Sequence, residues 1–95
     1  MPAYIVLTRE RTRNAGELAK YSELVTATLA GHPVKPRVIF GRQQILEGAS
    51  VEGMAILEFP TFEDAQAWYQ SPAYRKACEH RHLAADFRCM IVQGL

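Results

Sequence analysis

The stretch from Met54 to Tyr74 constrains this chain more than any other. Met54-Ala55-Ile56-Leu57-Glu58-Phe59 is an apolar run broken only by Glu58 and bounded by Gly53 and Pro60. So short a run between two breakers reads as a buried strand. Pro60 has no N–H to give and ends the ladder. Thr61 reads as the N-cap of a helix, with Asp64 three positions on in a capping-box arrangement. Glu63 and Asp64 place negative charge at the positive end of the helix dipole. Phe62, Ala65 and Tyr69 fall on one stripe with Trp68 beside it, so this helix turns an aromatic face inward. Ser71-Pro72 breaks the helix and starts another: Ser caps, and Pro occupies the first helical position, where its missing N–H costs nothing.

The rest of the chain fits around this core. Ala3 to Arg9 reads as the first strand, with Ala3, Ile5 and Leu7 on one face and Tyr4, Val6 and Thr8 on the other. Glu10 to Gly16 is charged and polar and reads as a loop, in which Asn14 can cap the first helix. Ala15 to Ala30 has helical periodicity: Leu18, Tyr21, Val25 and Leu29 form a stripe flanked by Leu24 and Thr28, and Gly31 closes the helix. Val34 to Phe40 is the second strand, with Pro36 favouring an edge position or a late start. Gly41-Arg42 bends the chain, Gln43 to Glu47 reads as a short extension, and Gly48-Ala49-Ser50 is a turn. The last helix runs from about Pro72 to Ala85 and the last strand from Asp86 to Val92.

This order, β-α-β-β-α-β with the second helical segment in two pieces, is the ferredoxin-like pattern of α+β proteins. It implies a four-stranded antiparallel sheet with both helical segments on one face, in one domain over residues 1–95. Helices can cover only that face. Yet both faces are apolar: Ile5 and Leu7 against Tyr4 and Val6, Leu57 and Phe59 against Met54 and Ile56, Phe87 and Ile91 against Met90 and Val92. An uncovered apolar patch of several hundred Å² is uncommon on a soluble monomer. The expectation is a homodimer in which two sheets pack face to face, a dimeric α+β barrel.

Composition narrows the function classes. Formal net charge is +1 and the basic residues are scattered, which argues against a nucleic-acid surface. No apolar run reaches membrane-spanning length and the start lacks the pattern of a signal peptide, so a cytoplasmic location is expected. Cys78 and Cys89 then read as buried free thiols. There is no glycine-rich phosphate loop and no activated-serine motif.

Taken together, these residues resemble the small bacterial proteins of the domain-of-unknown-function 1330 family, within the dimeric α+β barrel superfamily. The resemblance spans nearly the whole chain. It rests on Met1-Pro2-Ala3-Tyr4, Tyr21, Gly41, Leu46-Glu47-Gly48 and Leu57-Glu58-Phe59-Pro60. It continues through Ala65-Gln66-Ala67-Trp68-Tyr69-Gln70-Ser71-Pro72-Ala73-Tyr74, Arg81, Ala84-Ala85-Asp86 and Val92-Gln93-Gly94. The chain departs from the family where Arg42 follows Gly41 in place of a second Gly, and where Gln93 stands in place of an acid. The superfamily includes cofactor-free monooxygenases, haem-degrading enzymes, muconolactone isomerase-like proteins and ligand-binding modules, so the resemblance implies a fold more narrowly than a reaction.

Candidate site residues are set by position. Arg81 shares a helical stripe with Tyr74, Cys78 and Ala85. It is placed either to bind a ligand carboxylate at a pocket edge or to pair with Asp86 and cap the last turn. Glu58, alone in an apolar strand, is suited to general acid or base work, or else pairs with Arg37 or Arg88. His80 and His82 sit two apart on a helix and face different ways; either is a candidate base. Cys78 and His82 are four apart, but two ligands do not make a metal site. The tyrosines and Trp68 read mostly as core, with the Tyr21 hydroxyl able to reach the cleft between helix and sheet. The expected function is binding of a small carboxylate-bearing or aromatic molecule between helices and sheet by Arg81, Asp86, Tyr21 and Tyr74. If there is turnover, it is cofactor-independent oxygenase- or isomerase-type chemistry with Glu58, His80 or His82 as base. A non-catalytic ligand-binding or assembly module is the alternative. No cofactor, metal, nucleic acid or membrane partner is expected.

Overall fold

Each helix begins at the cap its sequence offers. Asn14 Oδ1 accepts the Glu17 N–H at 3.1 Å, Thr61 Oγ1 the Asp64 N–H at 3.0 Å and Ser71 Oγ the Tyr74 N–H at 3.4 Å. Each cap satisfies a donor that the first helical turn leaves without a partner, a contribution of about 1 kcal/mol. The computed structural model describes all residues, 1–95. In order they form β1 (Ala3–Thr12), α1 (Ala15–Thr28), β2 (Lys35–Ile39), β3 (Gly53–Phe59), α2 (Phe62–Gln70), α3 (Pro72–Ala84) and β4 (Ala85–Gln93). Gly31, at φ +81°, supplies the left-handed residue that turns the chain out of α1.

The strands make one antiparallel sheet in the order β2-β3-β1-β4. Ile5 lies between Leu57 and Ile91, and Leu7 between Ala55 and Cys89. These residues face the helices; Ala3, Ile5, Leu7, Ala55, Leu57 and Phe59 are all buried. On the opposite face the register aligns Met90, Val6, Ile56 and Val38 in one apolar row across all four strands. Nothing in the chain covers that row, and Met90 is 54% exposed.

Two local expectations are corrected. The segment from Glu10, expected as loop, continues β1 to Thr12 after a bulge between Arg9 and Arg11. Glu52 explains the extension: its carboxylate accepts the Thr12 N–H at 2.8 Å, the Thr12 hydroxyl and Arg9 Nε at 2.8 Å. In the other direction, Gln43 to Glu47 forms no strand. β2 ends at Ile39, so the apolar pair Ile45-Leu46 finds no neighbouring strand, and Leu46 is left 81% exposed.

Glu52 also makes the fold acid-sensitive. The bonds from Thr12, then the charge of Arg9, hold its carboxyl below the ordinary value of 4.5. The unfolded chain therefore binds the extra proton first, and stability contributed by this group is present above pH 4.5 and lost as pH falls below it. Glu52→Gln is expected to melt earlier than wild type at pH 7 and to show a shallower fall in Tm between neutral and acidic pH, read by circular dichroism melts across that range.

Candidate functional site

α1 packs chiefly against α3. It stands off β2 and β3, where Ala55 offers only a methyl group, and the gap is an apolar cavity of about 240 Å³. Leu7, Ala55 and Leu57 from the sheet form its floor, Tyr21, Val25 and Leu29 its roof, and Trp68 and Phe87 its inner walls. The mouth lies at the edge strand, where the lining residues Thr26, Pro36, Ile39 and Phe40 are exposed. An apolar cavity of roughly 150 Å³ holds benzene, so this one has room for a substituted aromatic ring.

Trp68 and Tyr74 fix the inner end. Their rings pack at 4.1 Å between centroids, and Phe59 lies 5.9 Å from Trp68. The Trp68 indole N–H donates to Thr28 Oγ1 at 3.1 Å, and the Thr28 hydroxyl donates to the Val25 carbonyl at 2.6 Å. The Tyr21 and Tyr74 hydroxyls bond each other at 3.0 Å. Burial pushes both phenols above the ordinary value, and for Tyr74 the neighbouring Tyr21 adds to it, so both remain proton donors.

Arg81 stands behind this pair and is only 3% exposed. Its guanidinium lies 5.1 Å over the Phe87 ring. Nη2 reaches Cys78 Sγ at 3.4 Å and His82 Nε2 at 3.3 Å, while Nε and Nη1 are buried with no oxygen or nitrogen acceptor in bonding geometry. No carboxylate pairs with it. Arginine keeps its charge at every pH at which the protein folds, so this is a buried cation without a counter-ion. Burial, then the charges of Arg81 and Arg75, push the His82 imidazole below its ordinary value. It is thus a neutral acceptor for Arg81 near pH 7. Burial raises the thiol of Cys89, the other cysteine beside Arg81.

The residues expected at the site therefore separate. Tyr21 and Tyr74 join their hydroxyls and Arg81 lies behind them; of the three, Tyr21 lines the cavity. Asp86 does not join them: it pairs with Arg13 Nε at 2.9 Å and Arg11 at 3.7 Å, and Arg13 also donates to the His82 and Ala85 carbonyls. The anticipated Arg81–Asp86 pair is absent because the extended β1 brings Arg13 to the start of β4. Glu58 lies on the helix-free face and accepts from Arg37 Nε at 3.1 Å. His80 Nδ1 is bound to Glu17 Oε2 at 2.6 Å on the surface between α3 and α1. Cys78 and His82 do meet, Sγ to Nε2 at 3.5 Å, but no cluster of three potential metal ligands forms. Thr28, Phe40 and Phe87 belong to the site without having been singled out from sequence.

The family described as a domain of unknown function, DUF1330, matches residues 2–95. The chain belongs to the DUF1330 family. No curated protein matches it. Among solved structures, this DUF1330 chain is similar to a protein of unknown function from Rhodopseudomonas palustris, at 22% identity and a TM-score of 0.74, over 99% of this chain and 82% of that one. It is also similar to a dimeric protein of unknown function with a ferredoxin-like fold from Bacteroides fragilis, at 13% identity and TM-score 0.70, over 98% and 96% of the two chains. A dimeric ferredoxin-like protein of unknown function from Thermobifida fusca is alike at 12% identity and TM-score 0.68, over 97% and 90%. At these identities the likeness shows the fold: DUF1330 here is ferredoxin-like, with the α+β arrangement that supports a dimeric barrel.

The two buried hydroxyls can be apportioned by a double-mutant cycle. Tyr74→Phe and Tyr21→Phe each leave an orphan phenol and should each cost about 1–2 kcal/mol in urea unfolding. The double variant leaves none and should cost less than the sum.

Proposed function

We propose that this DUF1330 protein binds a small organic anion with an apolar, ring-sized body, taken up in the cavity beneath α1 with its charge directed to Arg81. One observation carries the reading: two guanidinium nitrogens of Arg81 are buried without partners behind the tyrosine pair, of which Tyr21 lines the apolar cavity. Burying an unpaired charge costs several kcal/mol. Such a cost is explained when an anion completes the site. Tyr21 belongs both to the cavity wall and to the polar cluster, and its hydroxyl is the group over which the ligand's carboxylate passes to Arg81.

A catalytic role rests on the same cluster. Two protonated phenols beside a fixed cation would stabilise negative charge growing on a carbonyl oxygen, as in an enolate. The His82 Nε2 is taken up by Arg81, so His82 is not a free base. Glu58 and His80 lie elsewhere and are occupied. Such stabilisation suits isomerase- or oxygenase-type chemistry, with binding as the step common to every version.

We also propose a homodimer through the helix-free face. The apolar row Met90-Val6-Ile56-Val38 supports it, as do the two neighbours described as dimeric. A stable interface of this kind buries on the order of 800 Å² per partner. Ile56→Glu, at the centre of the row, should give a folded monomer by sedimentation velocity; a wild type that sediments as a monomer at micromolar concentration refutes the interface.

The decisive comparison for the ligand is Arg81→Met. Replacing an unpaired buried charge by an apolar side chain of similar length should raise stability by about 1 kcal/mol or more. Small carboxylic acids should stabilise the wild type, by roughly 2.7 kcal/mol at one hundred times the dissociation constant, and should leave the variant unchanged in a thermal-shift screen. A variant that simply melts earlier, with no acid shifting the wild type, makes Arg81 structural.

A further inference from the structure

Phe40 is the one non-glycine residue with a left-handed backbone, at φ +49°. For a bulky side chain that conformation costs about 1–3 kcal/mol and persists only where the surroundings impose it. Three contacts impose it here. The Phe40 N–H bonds the Met54 carbonyl at 2.8 Å, the last tie of β2 to β3. An edge of the ring abuts Gly53, where a Cβ would come within 2.5 Å of a ring carbon. The Arg9 guanidinium sits 4.6 Å above the ring centre, and Glu52 holds that guanidinium in turn. The result is a ring fixed at the cavity mouth, where β2 gives way to an exposed segment without regular structure.

We propose that Phe40 is the specificity-determining residue of the cavity: its ring is a stop that limits ligands to a single ring and its substituents. This rests on the reading that the cavity beneath α1 binds a ligand. Tyr21, Trp68 and Phe87 close the inner end, so an elongated molecule has only the mouth in which to place a second ring. There it meets a side chain that cannot swing aside without giving up the Arg9 contact over its face and the Gly53 contact at its edge. Gly53 is required for the same reason, since any side chain at that position would unseat the ring.

The test uses benzoate, para-phenylbenzoate and the uncharged para-phenylbenzyl alcohol, titrated by protein-observed NMR into wild type and Phe40→Ala. Phe40→Gly, which suits the positive φ, serves as a second variant should alanine disturb the fold. The wild type is expected to bind benzoate and to discriminate against para-phenylbenzoate by roughly tenfold or more. Removing the ring should abolish that discrimination, with resonances of cavity residues shifting. An unchanged ratio of the two acids in the variants overturns the role of Phe40 alone. If neither acid binds but the alcohol enters only the variants, Phe40 stands as the stop and the anion site at Arg81 falls. Binding of none of the three compounds by any of the proteins overturns both.

Discussion

The burial of Trp68 is the interaction on which the rest of the structure depends. Its side chain is inaccessible to solvent, stacks on Tyr74 from α3, lies against Phe59 from β3 and donates its N–H to Thr28 in α1. One residue of α2, a helix of only nine residues, thus touches every layer of the fold. A helix so short has little stability of its own. It is held by the Thr61 cap at one end and by this indole in the middle. A buried tryptophan needs a partner for its donor. Thr28 provides one only because it faces inward at the end of α1, which fixes the distance of α1 from the sheet and so the height of the cavity.

That spacing leads to the polar cluster. With α1 set off from β2 and β3 but close to α3, Tyr21 and Tyr74 meet edge on, 6.3 Å between centroids, and Arg81 is enclosed behind them. The neighbours of Arg81 are thiols, phenols, a neutral imidazole and an aromatic face. No carboxylate is among them. Were Arg81 there for stability, an acid would serve better, and Asp86 is five residues away. Asp86 is instead committed to Arg13 and Arg11 outside the core. The chain thus has an acid near the cation and does not bring it inside, an arrangement that costs stability.

How much of this was legible depended on how local the determining physics is. Asn14, Thr61 and Ser71 cap their helices as read, because capping needs only three residues of chain. The two apolar faces of the sheet were legible because strand side chains alternate strictly. The inward position of Arg81 followed from helical spacing. Its lack of a partner did not: that required knowing that β1 overruns its apolar segment, which Glu52 decides from forty residues away. Thr28 read as a flanking residue, since nothing in α1 announces an indole arriving from α2. Phe40 was hidden more deeply, because no propensity places phenylalanine at positive φ; only the Gly53 surface and Arg9 do. The pair Ile45-Leu46 misled in the opposite sense, with strand-like residues and no strand beside them.

The site thus combines two kinds of constraint. Its inner end is set by hydrogen bonds and ring stacking deep in the core, where any change is felt by three helices at once. Its mouth is set at an edge strand, by a residue that is 39% exposed and contributes little to the core. Substitution at the inner end disturbs the packing of all three helices. Substitution at Phe40 alters the space at the entrance and leaves the core packing in place. Within a fold that supports unrelated chemistries, changes at the mouth are the less costly way to alter the cavity.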